Sequence, residues 1–263
     1  MTKTKEISQF LKSKGFKQKS INSYCFVLKR IFMYLGERFT GPQVEELFTK
    51  LNLKPRTYNQ YRTIVNFYTK KYLGYDLQFT KAKVDKSLPT YVSKDEFNLV
   101  LKQIPNIKHK LGLCLIYGSG LRSHELVRLK KHNIYYDKLI IFIKQGKGGK
   151  DRQTIIHSKI VDWLERFAKN TKQDNPYLFQ TYRGHISERS FQEVLKRAIK
   201  KAGLQKHFTL HDLRHSFAIN LVNKGIDLEV VRQLLGHSSL RTTQIYLQCR
   251  TLNLTELALK LER

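Results

Sequence analysis

Apolar residues recur along the first 75 positions in steps of three and four. Tyr24, Val27, Leu28, Ile31, Phe32 and Leu35 keep this spacing, and Tyr58, Tyr61, Val65, Tyr68 and Tyr72 keep it again. One face of an α-helix repeats at that interval, so both stretches are expected to be amphipathic helices. Gly36, Gly41-Pro42 and Gly74 punctuate between helices. The aromatic stripe could serve as a platform for stacking bases or as packed core, and helical spacing favours core. The rhythm stops after Asp76. Residues 77–86 have no helical period and Pro89 follows, which reads as a linker over 77–90. Ser93-Lys94-Asp95-Glu96 then has the form of a capping box that opens a new helix.

Beyond residue 91 the periods mix. Leu111 to Tyr117 is a short apolar helix that ends in Gly118-Ser119-Gly120. Leu139-Ile140-Ile141-Phe142-Ile143 and Gln153-Thr154-Ile155-Ile156 have strand composition, and Gln145-Gly146-Lys147-Gly148-Gly149-Lys150 joins them as a hairpin. From Ser158 the pattern is helical again, broken near Asn175-Pro176 and at Gly203. The expected fold is mainly α with a small β-sheet or hairpin. A helical domain covers 1–76 and a mixed α/β domain covers 91–263, ending in a leucine-rich tail helix.

Charge adds a partner to this picture. The 263 residues hold 49 lysines and arginines against 21 acids, a net +28. Residues 1–86 carry 18 bases and 6 acids (+12), and the remainder carries 31 and 15 (+16). A membrane-surface protein would concentrate such charge on one amphipathic helix. Basicity in both halves instead favours a long polyanion gripped from two sides, and nucleic acid fits best. Lys17, Lys19, Lys54, Arg56 and Arg62 are candidate phosphate contacts in the first domain. The cysteines, Cys25, Cys114 and Cys249, have no metal-ligand spacing and read as buried free thiols of a reducing compartment. Met-Thr-Lys-Thr-Lys-Glu leads into no apolar signal core, and no run approaches the ~18 apolar residues of a membrane span. A soluble, cytoplasmic, DNA-associated protein without membrane contact is expected.

The candidate chemistry lies in a run near the C-terminus. His211-Asp212-Leu213-Arg214-His215 is followed by Leu235-Gly236-His237 and then by Tyr246. Breaking a phosphodiester without a metal requires cations on the non-bridging oxygens. Arg214 and Arg122, the latter just after a Gly-Ser-Gly turn, can supply two guanidinium forks. A phenol titrates near ~10, so Tyr246 as nucleophile needs a base or positive surroundings. His211 is placed in sequence to help. Lys147 at the hairpin tip can protonate a departing oxygen. Metal-dependent cleavage would want clustered carboxylates, and between His207 and Tyr246 the acids are only Asp212, Asp227 and Glu229. His211 and His215 stand four apart but lack convincing zinc partners. The stretch from Asn223 to Tyr246 could by itself be a helix-turn-helix, with Gly236-His237-Ser238-Ser239 as its turn. That reading leaves Arg122, Lys147 and His211 unexplained.

Taken together, these segments resemble the tyrosine recombinases, the lambda-integrase family. Tyr117 to Leu126 resembles the family's first arginine box, and Gly146 to Arg152 its hairpin lysine. His211 to His215 resembles the second arginine box, with Leu234-Leu235-Gly236-His237 and Tyr246 completing the set. The resemblance is strong over 89–250 and rests on length and pattern before that. It implies an N-terminal core-binding domain and a catalytic domain. It further implies that Tyr246 attacks a scissile phosphate held by Arg122, Arg214 and His237. Lys147 would be the general acid, His211 an acid/base, and Glu125 would orient the site. No cofactor, metal or ATP is implied. Lys54, Arg56, Arg62, Lys150, Arg152 and Arg241 are expected DNA contacts. Four protomers are expected at a synapse, with the tail docked on a neighbour or packed at home, and an accessory protein or paralogue is possible. The layout resembles Xer recombinases, while an integrase of a mobile element, a type IB topoisomerase or a non-catalytic DNA-binding relative would look similar.

Overall fold

The two apolar stripes of the N-terminal stretch become the inward faces of neighbouring helices. The computed structural model describes residues 3–84, 88–144, 151–182 and 184–249, and the chain divides into two compact units, Met1–Lys86 and Ser87–Arg263. The first unit contains α1 (Lys3–Ser13), α2 (Gln18–Leu35), α3 (Gly41–Lys50) and α4 (Pro55–Tyr68), which runs into a π turn over Thr69–Leu73. Val27, Leu28, Ile31, Tyr61, Val65 and Tyr68 are all buried, so the aromatic stripe is core. The Tyr68 hydroxyl is satisfied by donating to the Glu37 carbonyl at 2.8 Å.

The expected linker begins too early. Leu77 and Phe79 are buried in the first unit's core. The Leu77 N–H donates to Asn66 Oδ1 at 2.8 Å, and Asn59 brackets Ala82 with two hydrogen bonds of 2.8 and 2.9 Å. Two apolar side chains two apart on an extended segment suffice to strap it onto a helical surface. Arg62, expected at DNA phosphate, is half-buried and donates Nε to the Phe79 carbonyl at 2.7 Å.

In the second unit the Ser93 box forms as expected. The Glu96 N–H donates to Ser93 Oγ at 3.2 Å and the Ser93 N–H to Glu96 Oε2 at 2.7 Å. It opens α5 (Lys94–Lys102), followed by α6 (Ile107–Ser119) and α7 (Ser123–Val127). A three-stranded antiparallel sheet, order β1-β2-β3, comprises Ile134–Tyr135, Ile140–Ile143 and Arg152–Ile155. Leu139 has a positive φ of 53°, which is why β2 starts one residue later than its composition predicts. Helix α8 (Ser158–Lys169), a two-residue ladder β4–β5 (Gln180–Thr181, Gly184–His185) and α9 (Glu188–Lys201) follow.

Helix α10 (Leu210–Asn223) runs through the middle. Leu210, Leu213, Phe217, Ala218, Ile219 and Val222 are buried on several sides of it. Each large apolar side chain contributes roughly 1.5–3 kcal/mol by leaving water, so this helix is held far more firmly than its own propensity would hold it. Helix α11 (Leu228–Leu235) is followed by two 3₁₀ turns, Leu240–Thr242 and Gln244–Cys249. The helix-turn-helix alternative fails here, because no second α-helix follows Gly236 among the described residues. All three cysteines are free and only partly buried. No helix among the described residues is long and apolar enough to cross a membrane.

Candidate active site

Two glycine turns set the geometry. Gly120 caps α6 with φ 64°, and a Cβ there would come within 2.4 Å of Phe217 Cδ1 on α10. Gly236 caps α11 with φ 61°, and a Cβ there would meet Arg152 Cδ at 2.4 Å. Both positions need a left-handed backbone and bare space, which glycine alone supplies cheaply. Arg122 follows the first turn and His237 the second.

The C-terminal end of α11 receives three arginines in succession. The Leu234 carbonyl accepts from Arg152 Nη1, Leu235 from Arg214 Nη2 at 2.5 Å, and Gly236 from Arg122 Nη2 at 3.0 Å. These are the orphan carbonyls at the negative pole of the helix, so cations are favoured there. The Gly120 carbonyl accepts from Arg214 Nη1. On the other side stands Glu125. It accepts from Arg122 Nη1 at 2.7 Å, from the Arg122 N–H at 2.8 Å and from Arg152 Nη2 at 2.6 Å, and lies 3.8 Å from Arg214 Nη1.

Three guanidiniums therefore share one carboxylate. Burial alone would raise the Glu125 carboxyl, but Arg152, the Arg122 N–H and Arg214 bring it down to about 2. Burial and then the neighbouring Arg122 and Arg152 push Arg214 down to about 9, where it is still charged at neutral pH. With Glu125 subtracted, two positive charges remain on three side chains that are 14%, 5% and 2% exposed. A cluster of like charges in a water-poor place is relieved by an anion.

Tyr246 sits on the last 3₁₀ turn and is 1% exposed. Its hydroxyl shares a 2.8 Å hydrogen bond with Nδ1 of His215. Burial raises the phenol to about 12, against the pull of Arg214 and Arg122. Burial, with a contribution from His211, lowers His215 to about 4, so the imidazole is neutral and its Nδ1 can accept a hydrogen bond from the phenol, which keeps its proton. The His211 ring lies 4.2 Å from that of His215, centroid to centroid. His237 stacks on Tyr246 at 6.4 Å and pairs its Nδ1 with Thr243 Oγ1 at 3.0 Å. Burial and then Arg214 and Arg122 lower it to about 3. The residues come together because α10 carries His211, Arg214 and His215 within two turns. Its start is fixed by a second capping box between Thr209 and Asp212.

Of the expected residues, Arg122, Glu125, His211, Arg214, His237 and Tyr246 thus occupy one region of the second unit. Lys147 and Lys150 lie outside the described residues. Arg241 is exposed on a 3₁₀ turn, and Lys54 and Arg56 are exposed in the first unit. Arg152 requires correction as a DNA contact. It begins β3 on the inward-facing register shared with buried Thr154, and its guanidinium is committed to Glu125 and to backbone carbonyls. Two participants, Arg152 and His215, were not singled out for these roles. The alternation Arg152-Gln153-Thr154-Ile155 was the available signal for the first, and the i, i+4 step from His211 for the second.

Residues 90–252 match the family model described as the phage integrase family. The chain belongs to that family. It is a tyrosine recombinase of the Xer kind, and both parts of the chain have counterparts in its relatives. Tyrosine recombinase XerA of Pyrococcus horikoshii is 32% identical over 260 residues, covering 95% of this chain and 90% of the relative. Its namesake from Pyrococcus furiosus is 30% identical over 263 residues, covering 95% and 91%. Among solved structures, a crystal structure of XerA recombinase aligns over 99% of this chain and 98% of its own, at 25% identity and a TM-score of 0.57. The fold of XerH site-specific recombinase, bound to palindromic difH substrate in a post-cleavage complex, aligns with a TM-score of 0.76 at 23% identity, over 99% of this chain and 85% of that one.

Proposed function

We propose that this recombinase cuts and rejoins specific DNA sites through a phosphotyrosine at Tyr246, in the manner of Xer proteins resolving DNA multimers. The observation that carries the reading is the cluster of Arg122, Arg152 and Arg214 around one carboxylate, beside a buried tyrosine. A phosphodiester is an anion that would offset one of the two remaining positive charges, and its oxygens gather further charge as the transition state forms. Arg122 and Arg214 hold those oxygens. In the tautomer in which Thr243 donates to its Nδ1, a neutral His237 carries its proton on Nε2 and offers it as a third donor.

In the step itself, Tyr246 Oη forms a bond to phosphorus and the bond to the 5′ oxygen breaks. The phenolic proton passes to an imidazole, His211, once the tyrosine has left the stored arrangement. The departing 5′ oxygen takes a proton from Lys147. The 3′-phosphotyrosine conserves the bond energy, and a 5′ hydroxyl from a partner duplex reverses the attack. Exchange between two duplexes engages four protomers, with DNA meeting exposed cations of each unit, Lys54 and Arg56 in the first and Arg241 in the second. The lambda integrase tetramer bound to a Holliday junction, a fold neighbour with a TM-score of 0.76, supports this assembly by analogy.

Incubation with a nicked suicide duplex tests the reading. An SDS-resistant protein–DNA adduct is expected from the wild type, unaffected by EDTA, and none from Tyr246→Phe. An adduct formed by Tyr246→Phe would refute the nucleophile assignment. Sequencing the trapped DNA would separate a chromosomal resolution site from the ends of a mobile element.

A further inference from the structure

Arg152 stands outside the mechanism just described, yet it touches each piece of backbone on which the cradle rests. Nη2 donates to Glu125 Oε2 at 2.6 Å and faces the Gly120 carbonyl at 3.5 Å. Nη1 donates to the Leu234 carbonyl, and Cδ fills the space over Gly236. The same segments hold the two arginines assigned to phosphate: Glu125 and Gly236 hold Arg122, and Gly120 and Leu235 hold Arg214.

Burial of Arg152 is a poor way to secure a core. Its Nε is buried with no hydrogen-bond partner among the described residues. A buried ion pair of this kind is often no more stabilising than an apolar side chain of similar size. Removing Arg152 also leaves Glu125 paired, since Arg122 still contacts it through two hydrogen bonds. The arrangement makes more sense as alignment than as adhesion.

We propose that Arg152 is a positioning residue for cleavage: by clamping Glu125 to the Leu234–Gly236 turn it fixes the aim of Arg122 and Arg214 without touching DNA. The inference rests on the recombinase reading. It differs from the role proposed for Arg122 and Arg214 in that Arg152 joins the Glu125 carboxylate to the Leu234–Gly236 turn, the two supports on which those arginines rest. A misplacement of about 1 Å in such a cradle costs on the order of 10²-fold in rate, which sets the scale of the expected effect.

The test compares the full-length wild type, Arg152→Met and Arg152→Lys in single-turnover cleavage of the suicide duplex at saturating protein. Cleavage by Arg152→Met should fall on the order of 10²-fold, while half-saturation by DNA and its salt dependence stay within roughly 3-fold of wild type. Arg152→Lys keeps the charge but not the fork, so it should fall in between. A methylphosphonate at the scissile position removes the charge that the cradle serves. On that substrate the gap between variant and wild type should shrink to under about 10-fold, which a general loosening of the fold would not produce. If Arg152→Met does not fold, Arg152→Lys carries the same substrate comparison. Wild-type cleavage rates in both variants, an equal loss on both substrates, or a loss confined to DNA affinity would overturn the proposal. A wild type that forms no covalent adduct would instead overturn the recombinase reading, and this inference with it.

Discussion

Arg214 and Tyr246 are each about 1% exposed, but they are buried by different means. Arg214 lies on a long helix packed on several sides, and backbone carbonyls from two other segments fix its guanidinium. Tyr246 lies on a six-residue 3₁₀ turn that follows another 3₁₀ turn, and its hydroxyl is held by one imidazole. Short 3₁₀ runs have poor hydrogen-bond geometry, and one neutral hydrogen bond contributes about 1 kcal/mol. On the proposed reading, the arginine cradle is built in advance, while Tyr246 is stored, protonated, by its burial and one hydrogen bond on a support with little helical structure of its own. If Tyr246 is the nucleophile, as proposed, this division lets charge wait in place while attack depends on releasing one turn.

The comparison breaks most visibly at Glu125. Glu125→Gln removes the carboxylate that offsets three guanidiniums, leaving buried charge uncompensated at a cost of about 3–5 kcal/mol. Thermal melts should show a drop of roughly 10 °C, partly restored by sulfate, which would take the place of phosphate. A melt unchanged from wild type would mean that the cradle is not electrostatically poised.

Acid should act on the storage side. His215 and His237 have folded-state values of about 4 and about 3, below the ordinary 6.5. The unfolded chain therefore binds more protons than the folded one below pH 6.5. Stability contributed by these two groups is complete above that pH and is lost progressively as pH falls toward 4 and then 3. His215 contributes at most about 3 kcal/mol at 1.36 kcal/mol per pH unit, and His237, more open to solvent, contributes less than its shift alone implies. His215→Gln should flatten the limb between pH 6.5 and 4 in denaturant titrations, and an unchanged limb would sever His215 from the store.

The smallest expected effect concerns the exposed cations. Arg56→Ala or Arg241→Ala should each lower the slope of log affinity against log salt by about 1 without changing single-turnover cleavage at saturation. A drop in cleavage at unchanged affinity would move that residue into the cradle.

Much of this division was legible in the residues. The two arginine boxes, the glycine turns and the tyrosine are local patterns, and the resemblance placed them in one site. Glu125 was expected to orient the site, and it pairs with the arginine three residues before it. What the pattern did not show was direction. Arg152 follows a lysine-rich loop and reads as another surface cation, because only the strand's alternation sends it inward. His215 reads as a possible zinc ligand, because the phenol it meets is 31 residues away and arrives through turns with no helical period. The ladders Ile134–Tyr135 and Gln180–Thr181 are two residues long, too short to leave a pattern. The strap at Leu77 and Phe79 looked like linker because an extended segment packed on helices carries only two apolar residues.

The stored state of the nucleophile is tested most directly by the ionisation of Tyr246 in the DNA-free protein. With ¹³C-labelled tyrosine, the resonance absent from Tyr246→Phe identifies the phenol, and its chemical shift can be followed with pH. A midpoint near about 12 is expected, the hydroxyl remaining protonated on His215 through the physiological range. A midpoint at or below the ordinary value of ~10 would show a nucleophile already activated by its arginines, and would contradict the division between a ready cradle and a stored tyrosine.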